Sequence, residues 1–329
     1  MSIILKDPIT SAVAWKGAEL SKDDSWIFHL SDASLAGITE ALAVANARGV
    51  VVPAMTQDDF PVSGALAADI AFFNEELENG RGFLLIRGLN KLGLEEADLQ
   101  TIYYGIGLHM GTPVSQNPKG DMIGKVTSVG DPKQMNTRVY ETNAYLPYHS
   151  DLSDVVGLLS IRKAKAGGLS SLVSSATVYN EILTKHPEYV GLLYRPVYFN
   201  HLGEALPSLS PIFSYHDGKL ACRYLRKYLE DGATLRGVTL SLVEVEMLDL
   251  IDSIIHDPAI RMDMMLEPGD IQFANNYTVM HSRTSFEDFD DPALKRRLLR
   301  LWLKMPNART LAPEFPGRNG IQADYAKAA

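Results

Sequence analysis

Cysteine is almost absent from this chain: Cys222 is the only one among 329 residues. That excludes an internal disulfide framework and any multi-cysteine zinc or iron–sulfur site, and it fits a reducing cytoplasm. Any metal must therefore be held by histidines and carboxylates. Long apolar runs are missing too, and none approaches the roughly 20 residues that span a bilayer. The N-terminus, MSIILKDPITSAVAWKG, has no basic leader and no uninterrupted apolar stretch, so it does not read as a signal peptide. Basic charge is in short supply, with 31 Lys and Arg against 40 Asp and Glu and a net charge of −9. This argues against nucleic acid or an anionic membrane as the main partner. No glycine-rich nucleotide loop and no GxSxG elbow is present, so neither a nucleotide fold nor a serine hydrolase has support. What remains is a soluble, cytoplasmic globular protein, 46% hydrophobic and 22% charged, forming one large domain or two modest ones.

Residues 31–48, SDASLAGITEALAVANAR, open on capping residues and place Leu35, Ile38, Leu42 and Ala45 on one stripe before Gly49. That pattern predicts an amphipathic helix. The same periodicity predicts helices over 61–79, with Leu66, Ile70, Phe73 and Leu77 inward, and over 94–107, with Leu99, Ile102 and Tyr103 on one side. Between them, 82-GFLLIRGL-89 reads as a short buried strand. From about residue 110 the character changes. β-like runs appear at MIGKVTSV (122–129), VVGLLSI (155–161), PVYFN (196–200), PIFSYHDGKLACRYL (211–225), IQFANNYTVMH (271–281) and LLRLWLK (298–304). The HDG at 216–218 marks a hairpin, and helices are expected at 177–185 and 241–256. Many strands with long excursions predict an α+β chain, a β-sandwich or jelly roll carrying helices, in place of alternating βαβ units.

Two stretches carry chemistry. In 145-YLPYHSDLSDVVGLLSI-161, His149 and Asp151 stand one residue apart, and in extended chain residues i and i+2 share a face. They are read as projecting from one side of a strand or strand edge, with VVGLLSI as the strand that anchors them. A neutral imidazole beside a carboxylate serves equally as half a metal site, an acid/base pair or an ordinary hydrogen bond. In the second stretch, 266–304, Pro268-Gly269-Asp270 makes a turn, one strand follows, and His281 is placed at its far end. If 295–303 is a strand, Arg296, Leu298, Arg300 and Trp302 share one face, and Arg297, Leu299, Leu301 and Leu303 the other. A strand this apolar is buried, and buried arginines need an anionic partner. A bidentate carboxylate ligand meets that need. His149, Asp151 and His281 together make a facial triad, which leaves three iron positions open. Adding a buried arginine for a dicarboxylate meets the requirements of an Fe(II)/2-oxoglutarate oxygenase. The 2-oxo acid then chelates iron through its C1 carboxylate and keto oxygen.

The HSD at 149–151, the glycine pair 167–168, the block PGDIQFANNYTVMHSRTSFED and the R-x-L-x-R-x-W strand together resemble the TauD/TfdA family, over roughly residues 80–305. Its members are non-haem iron, 2-oxoglutarate-dependent dioxygenases on a double-stranded β-helix. The resemblance implies that His149, Asp151 and His281 bind Fe(II), that Arg296 binds the far carboxylate of 2-oxoglutarate, and that Arg300 touches cosubstrate or an anionic substrate. After the paired glycines the family often carries a threonine reaching the cosubstrate; Ser170 stands there and offers the same hydrogen bond. It also implies a jelly-roll catalytic domain over 81–305, a mainly helical portion over 1–80 packed on it, helical insertions, and a tail over 306–329. Related halogenases replace the iron carboxylate with a small residue, so Asp151 favours hydroxylation or another C–H oxidation.

Two other classes are weighed beside this reading. The same triad holds Zn(II) or Mn(II) in cupin-like isomerases and lyases, although these have no need of the arginine pair. A non-catalytic binding protein on the same fold is the other, and an intact triad argues against it. The expected partners are a small polar substrate, O2 and 2-oxoglutarate, with no nucleic acid and no membrane; a homo-oligomer is the default for an enzyme of this size. Substrate selectivity is expected in 110–145, in 200–235 and in the loop after His281, with Tyr145, Tyr148 and Tyr224 as candidates. Asn275 and Asn276 are read as strand-end or turn residues, and Arg223 and Arg226 as part of a solvated face.

Overall fold

Alternation of apolar side chains determines how the C-terminal strand is used. In Arg297–Lys304, Leu299, Leu301 and Leu303 face one way and join a core with three helices, while Leu298 and Trp302 face the other way into a second core. The computed structural model describes residues 2–128, 142–200 and 208–321. The three helices are Asp32–Arg48, Gly64–Asn79 and Glu96–Met110. The first is capped by the Ser31 hydroxyl and closed by Gly49 in the left-handed conformation, as its sequence predicts. Ile38, Leu42, Phe73, Ile102 and Tyr103 bury the helical faces against Phe273, Leu299 and Leu301 of a sheet.

That sheet has seven strands. Its order runs Ile27–His29, Phe83–Arg87, Ile271–Asn275, Val155–Arg162 and Arg297–Lys304, with Thr112–Pro113 and Ile123–Val126 both pairing the last of these. A four-stranded sheet faces it, in the order Met262–Met264, Ser170–Ser174, Val279–Arg283 and Leu146–His149. From residue 146 onward the chain passes repeatedly from one sheet to the other. Phe83, Val156, Leu172, Ala274, Val279 and Trp302 fill the space between. A third cluster joins the helices Ser175–Lys185 and Leu242–Ile255 to the hairpin strands Phe213–His216 and Lys219–Cys222. The hairpin turns on Asp217 and Gly218, both at positive φ, the pairing a two-residue turn with the right twist requires. Among the described residues no helix is long and apolar enough to cross a membrane.

The architecture is α+β, and it corrects the sequence reading at several places. IQFANNYTVMH is two strands in different sheets. Asn275 ends the first; its side-chain oxygen accepts the Tyr277 N–H at 2.9 Å and its carbonyl accepts the Thr278 N–H at 3.1 Å, which turns the chain. His281 therefore sits within the second strand and not at the end of the first. VVGLLSI likewise belongs to the large sheet, opposite the sheet that carries His149. Arg223 is buried, with its guanidinium 4.2 Å from the centre of the Phe199 ring, and so is not part of a solvated face. Arg226 opens a helix, Arg226–Leu235, that the sequence reading did not anticipate, and it pairs with Glu230, Asp249 and Asp252.

Leu301 is fully buried where the helices meet the large sheet. Leu301→Ala is expected to cost about 2–5 kcal/mol in urea unfolding while leaving the inter-sheet face intact.

Candidate metal centre

Strand pairing brings the two histidines together. His281 lies directly opposite His149 in the ladder between Val279–Arg283 and Leu146–His149, and their ring centroids are 4.2 Å apart. Asp151 is not on that strand. The strand ends at His149, and Asp151 stands in the connection 150–154, where periodicity alone does not orient a side chain. Hydrogen bonds from remote segments orient it instead. The Asn276 side chain accepts the Asp151 N–H at 2.9 Å and donates to the Ser153 carbonyl at 3.0 Å. The Trp302 indole donates to Asp151 Oδ2 at 3.0 Å. Asn276 thus holds the turn role that the sequence suggests, and in doing so it fixes the backbone at Asp151.

The donor set suits one metal ion. His149 Nε2 lies 3.8 Å from Asp151 Oδ1 and His281 Nε2 lies 3.4 Å from Asp151 Oδ2, and one donor atom from each residue falls within 4.8 Å of the others. His149 Nδ1 faces the Pro147 carbonyl at 2.8 Å, which places the proton there and leaves Nε2 free to ligate. Burial lowers the His149 pKa to about 4, assisted by His281. Burial opposes ionisation of Asp151, but its hydrogen bond from His281 and the positive charge of Arg300 outweigh this and hold its carboxyl well below the ordinary range. Two neutral imidazoles and one carboxylate are the donors a facial iron triad requires. Among the described residues no other cluster of this kind occurs.

A cavity of about 50 Å³ adjoins the triad, walled by Val126, Leu146, Val156, Leu158, Leu266 and Leu298. Ser170, Arg283, Arg296 and Arg300 also line it. The strand alternation read from the sequence thus holds, with Arg296, Leu298 and Arg300 facing the site. Arg296 and Arg283 lie over the same Phe286 ring, at 5.1 and 4.7 Å from its centre. Neither has a carboxylate within ion-pair distance among the described residues, and Arg296 Nη1 and Arg283 Nε are buried without hydrogen-bond partners. Burial lowers the Arg296 pKa to about 9, with repulsion from Arg283 adding to it, and burial lowers that of Arg283 to about 10. Gly168, at φ 73°, makes room: a Cβ there would stand 3.2 Å from Arg296 Nε. Arg300 donates to the Gln116 side chain at 2.7 Å and lies over the Trp302 ring. The Ser170 hydroxyl is engaged, donating to Gln272 Oε1 at 2.6 Å.

Sequence reasoning missed Arg283, although its place two residues after His281 put it on the same strand face. It also gave no role to Trp302, Gln116 or Gln272. Tyr148 and Tyr224 are buried core residues hydrogen-bonded to Ser171 and Asp252, and neither lines the cavity. Tyr145 is partly exposed and meets His256 at 3.0 Å. Residues 129–141 and 201–207, within the stretches expected to set selectivity, lie outside the described residues. A larger crevice of about 460 Å³ lies away from the triad, under the N-terminal segment; there Glu78 pairs with Lys219 and Arg309. Its size does not make it the reactive site, because it lacks a metal-donor cluster.

Residues 49–302 match the model of the taurine catabolism dioxygenase TauD, TfdA family. The chain belongs to this family. It is 35% identical over 325 residues to an FR-33289 synthase of Streptomyces rubellomurinus, covering 95% of this chain and 94% of the relative. A taurine hydroxylase-like protein of Stachybotrys chartarum is 24% identical over 313 residues, covering 91% of this chain and 80% of that one. The fold is similar to that of an asparagine oxygenase solved with Fe(II), 2S,3S-3-hydroxyasparagine and succinate, with a TM-score of 0.66 at 16% identity over 84% of this chain and 93% of the other. It is also similar to the non-haem iron oxygenase OrfP solved with Fe and alpha-ketoglutaric acid, with a TM-score of 0.61 at 14% identity over 84% and 93% of the two chains.

Two outcomes are expected for this TauD/TfdA-family site. Trp302→Phe keeps the ring but removes the bond to Asp151 Oδ2, and should weaken Mn(II) binding about 10- to 100-fold by calorimetry. His149 takes up its proton less readily in the fold than in the unfolded chain, because its pKa falls from 6.5 to about 4. Its contribution to metal-free stability is therefore present above pH 6.5 and is lost as pH falls towards 4. The melting-temperature difference between wild type and His149→Phe should shift against the wild type across that window.

Proposed function

We propose that the protein is an Fe(II)- and 2-oxoglutarate-dependent oxygenase that oxidises a C–H bond of a small polar molecule. O2 and 2-oxoglutarate are consumed; succinate and CO2 are released. One oxygen atom enters the substrate as a hydroxyl and the other enters succinate. The observation that carries this reading is a single cavity lined both by three metal donors and by two buried arginines that lack carboxylate partners among the described residues. A metal site for isomerase or lyase chemistry has no need of such an anion slot.

His149, Asp151 and His281 hold the iron, which when bound supplies the activation of O2. Arg296 and Arg283 receive the far carboxylate of 2-oxoglutarate, which neutralises two buried charges at once. For Ser170 to contact that carboxylate, its hydroxyl hydrogen must turn away from Gln272. Arg300, oriented by Gln116 and Trp302, places positive charge beside the triad and suits an anionic group on cosubstrate or substrate. The leucine and valine wall keeps water from the reacting groups. Asp151, retained as an iron carboxylate, supports hydroxylation over halogenation. The passage of the chain between two facing sheets supports a jelly-roll catalytic domain over 81–305, with 1–80 as a mainly helical portion packed on it.

Adding 2-oxoglutarate to the anaerobic Fe(II) protein tests the reading. A weak visible charge-transfer band is expected, absent in His281→Ala. Arg296→Ala should raise the 2-oxoglutarate Kd about 30-fold or more, the loss expected when one side of a buried charge pair is removed. Bound iron with no band would mean that the triad serves another chemistry.

A further inference from the structure

The connection carrying Asp151 is irregular chain, and the last described residues of the protein hold it from a third side. After the strand Arg297–Lys304 the chain turns back, burying Ala312, Phe315, Arg318 and Ile321. Arg318 is 2% exposed. Its Nη1 donates to Ser150 Oγ at 3.0 Å and to the Asp151 carbonyl at 3.1 Å, while Nη2 reaches the Cys222 carbonyl at 3.4 Å. The Gly320 N–H donates to the next carbonyl, Leu152, at 2.6 Å. The peptide groups on both sides of Leu152 are therefore tied to residues 318–320. These residues lie beyond the segment 49–302 that matches the family.

Packing alone does not explain an arginine at this position. A buried guanidinium is costly to desolvate, and Arg318 has no carboxylate within ion-pair distance among the described residues. Its neighbours Phe315 and Ile321 fill space with apolar groups, as a simple cover would. Arg318 instead directs a rigid fork of donors at carbonyl and hydroxyl oxygens and lies 5.0 Å from the centre of the Tyr277 ring, beside the turn that holds Asp151 from the other side. Groups that orient a ligating carboxylate typically change metal affinity when removed.

We propose that Arg318 is a positioning residue of the metal centre, and that residues 312–321 form a strap whose docking sets the Asp151 carboxylate. The inference rests on the metal-binding reading above. The test is Mn(II) titration by calorimetry, together with the metal-induced rise in melting temperature, for wild type, Arg318→Ala and Arg318→Lys. Arg318→Ala should bind Mn(II) about 10- to 100-fold more weakly, and Arg318→Lys, which keeps the charge but not the fork, should fall between. A variant that melts earlier when metal-free yet keeps the wild-type Kd would show a merely structural role and overturn the inference. Should Arg318→Ala fail to fold, Arg318→Lys decides alone: weakened binding supports the strap, and wild-type affinity removes it. Wild-type protein that binds no Mn(II) overturns the functional reading together with this inference. Wild-type binding with unchanged variants overturns this inference only.

Discussion

Everything at the site depends on the cross-strand pairing of His281 with His149. Two imidazoles from residues far apart in sequence meet because the ladder sets them opposite one another, and the ladder's register is fixed by the inward faces of the strands. A slip of one residue would send His281 to the outer face and Met280 to the inner one. The core between the sheets resists such a slip, because Val279 on the same strand is fully buried beside Phe83, Leu172 and Trp302. Packing thus does the first part of the work of building a metal centre. The third donor needs a different device, since Asp151 stands on irregular chain and is held by a hydrogen bond from its own N–H to Asn276 and by bonds donated by Trp302 and Arg318.

The second constraint is electrostatic. Arg283 and Arg296 repel each other, are buried, and share one aromatic ring with no carboxylate within ion-pair distance among the described residues. Leaving charge in that state costs free energy that an anionic partner would offset. The cavity is therefore suited to an anion before any ligand arrives, because buried guanidinium groups line it beside the three metal donors. Helices on the outer face of the large sheet contribute indirectly, by holding Leu299, Leu301 and Leu303 so that the alternate residues of the same strand must face inward.

Much of this was legible in the sequence wherever a local period was strict. The helix Asp32–Arg48 and the two faces of Arg297–Lys304 follow directly from apolar spacing, and the Asp217-Gly218 hairpin from turn chemistry. Spacing and family resemblance together point to His149, Asp151, His281 and Arg296, which line one cavity. What stayed hidden lacks a local signature. IQFANNYTVMH reads as one strand because its apolar residues run on, while the turn depends on the Tyr277 N–H donating to the Asn275 side-chain oxygen. Gln116 and Arg318 act through contacts with residues 184 and 168 positions away, which no periodicity encodes. Arg283 follows from the i, i+2 rule, since it shares the strand and the cavity-facing side of His281.

An anaerobic crystal structure of the Fe(II)-loaded protein soaked with 2-oxoglutarate tests the central claim most directly. The account predicts one iron ligated by His149 Nε2, His281 Nε2 and Asp151, with the far carboxylate of 2-oxoglutarate on Arg296. Iron bound elsewhere, or a dicarboxylate lodged away from Arg296, would contradict it.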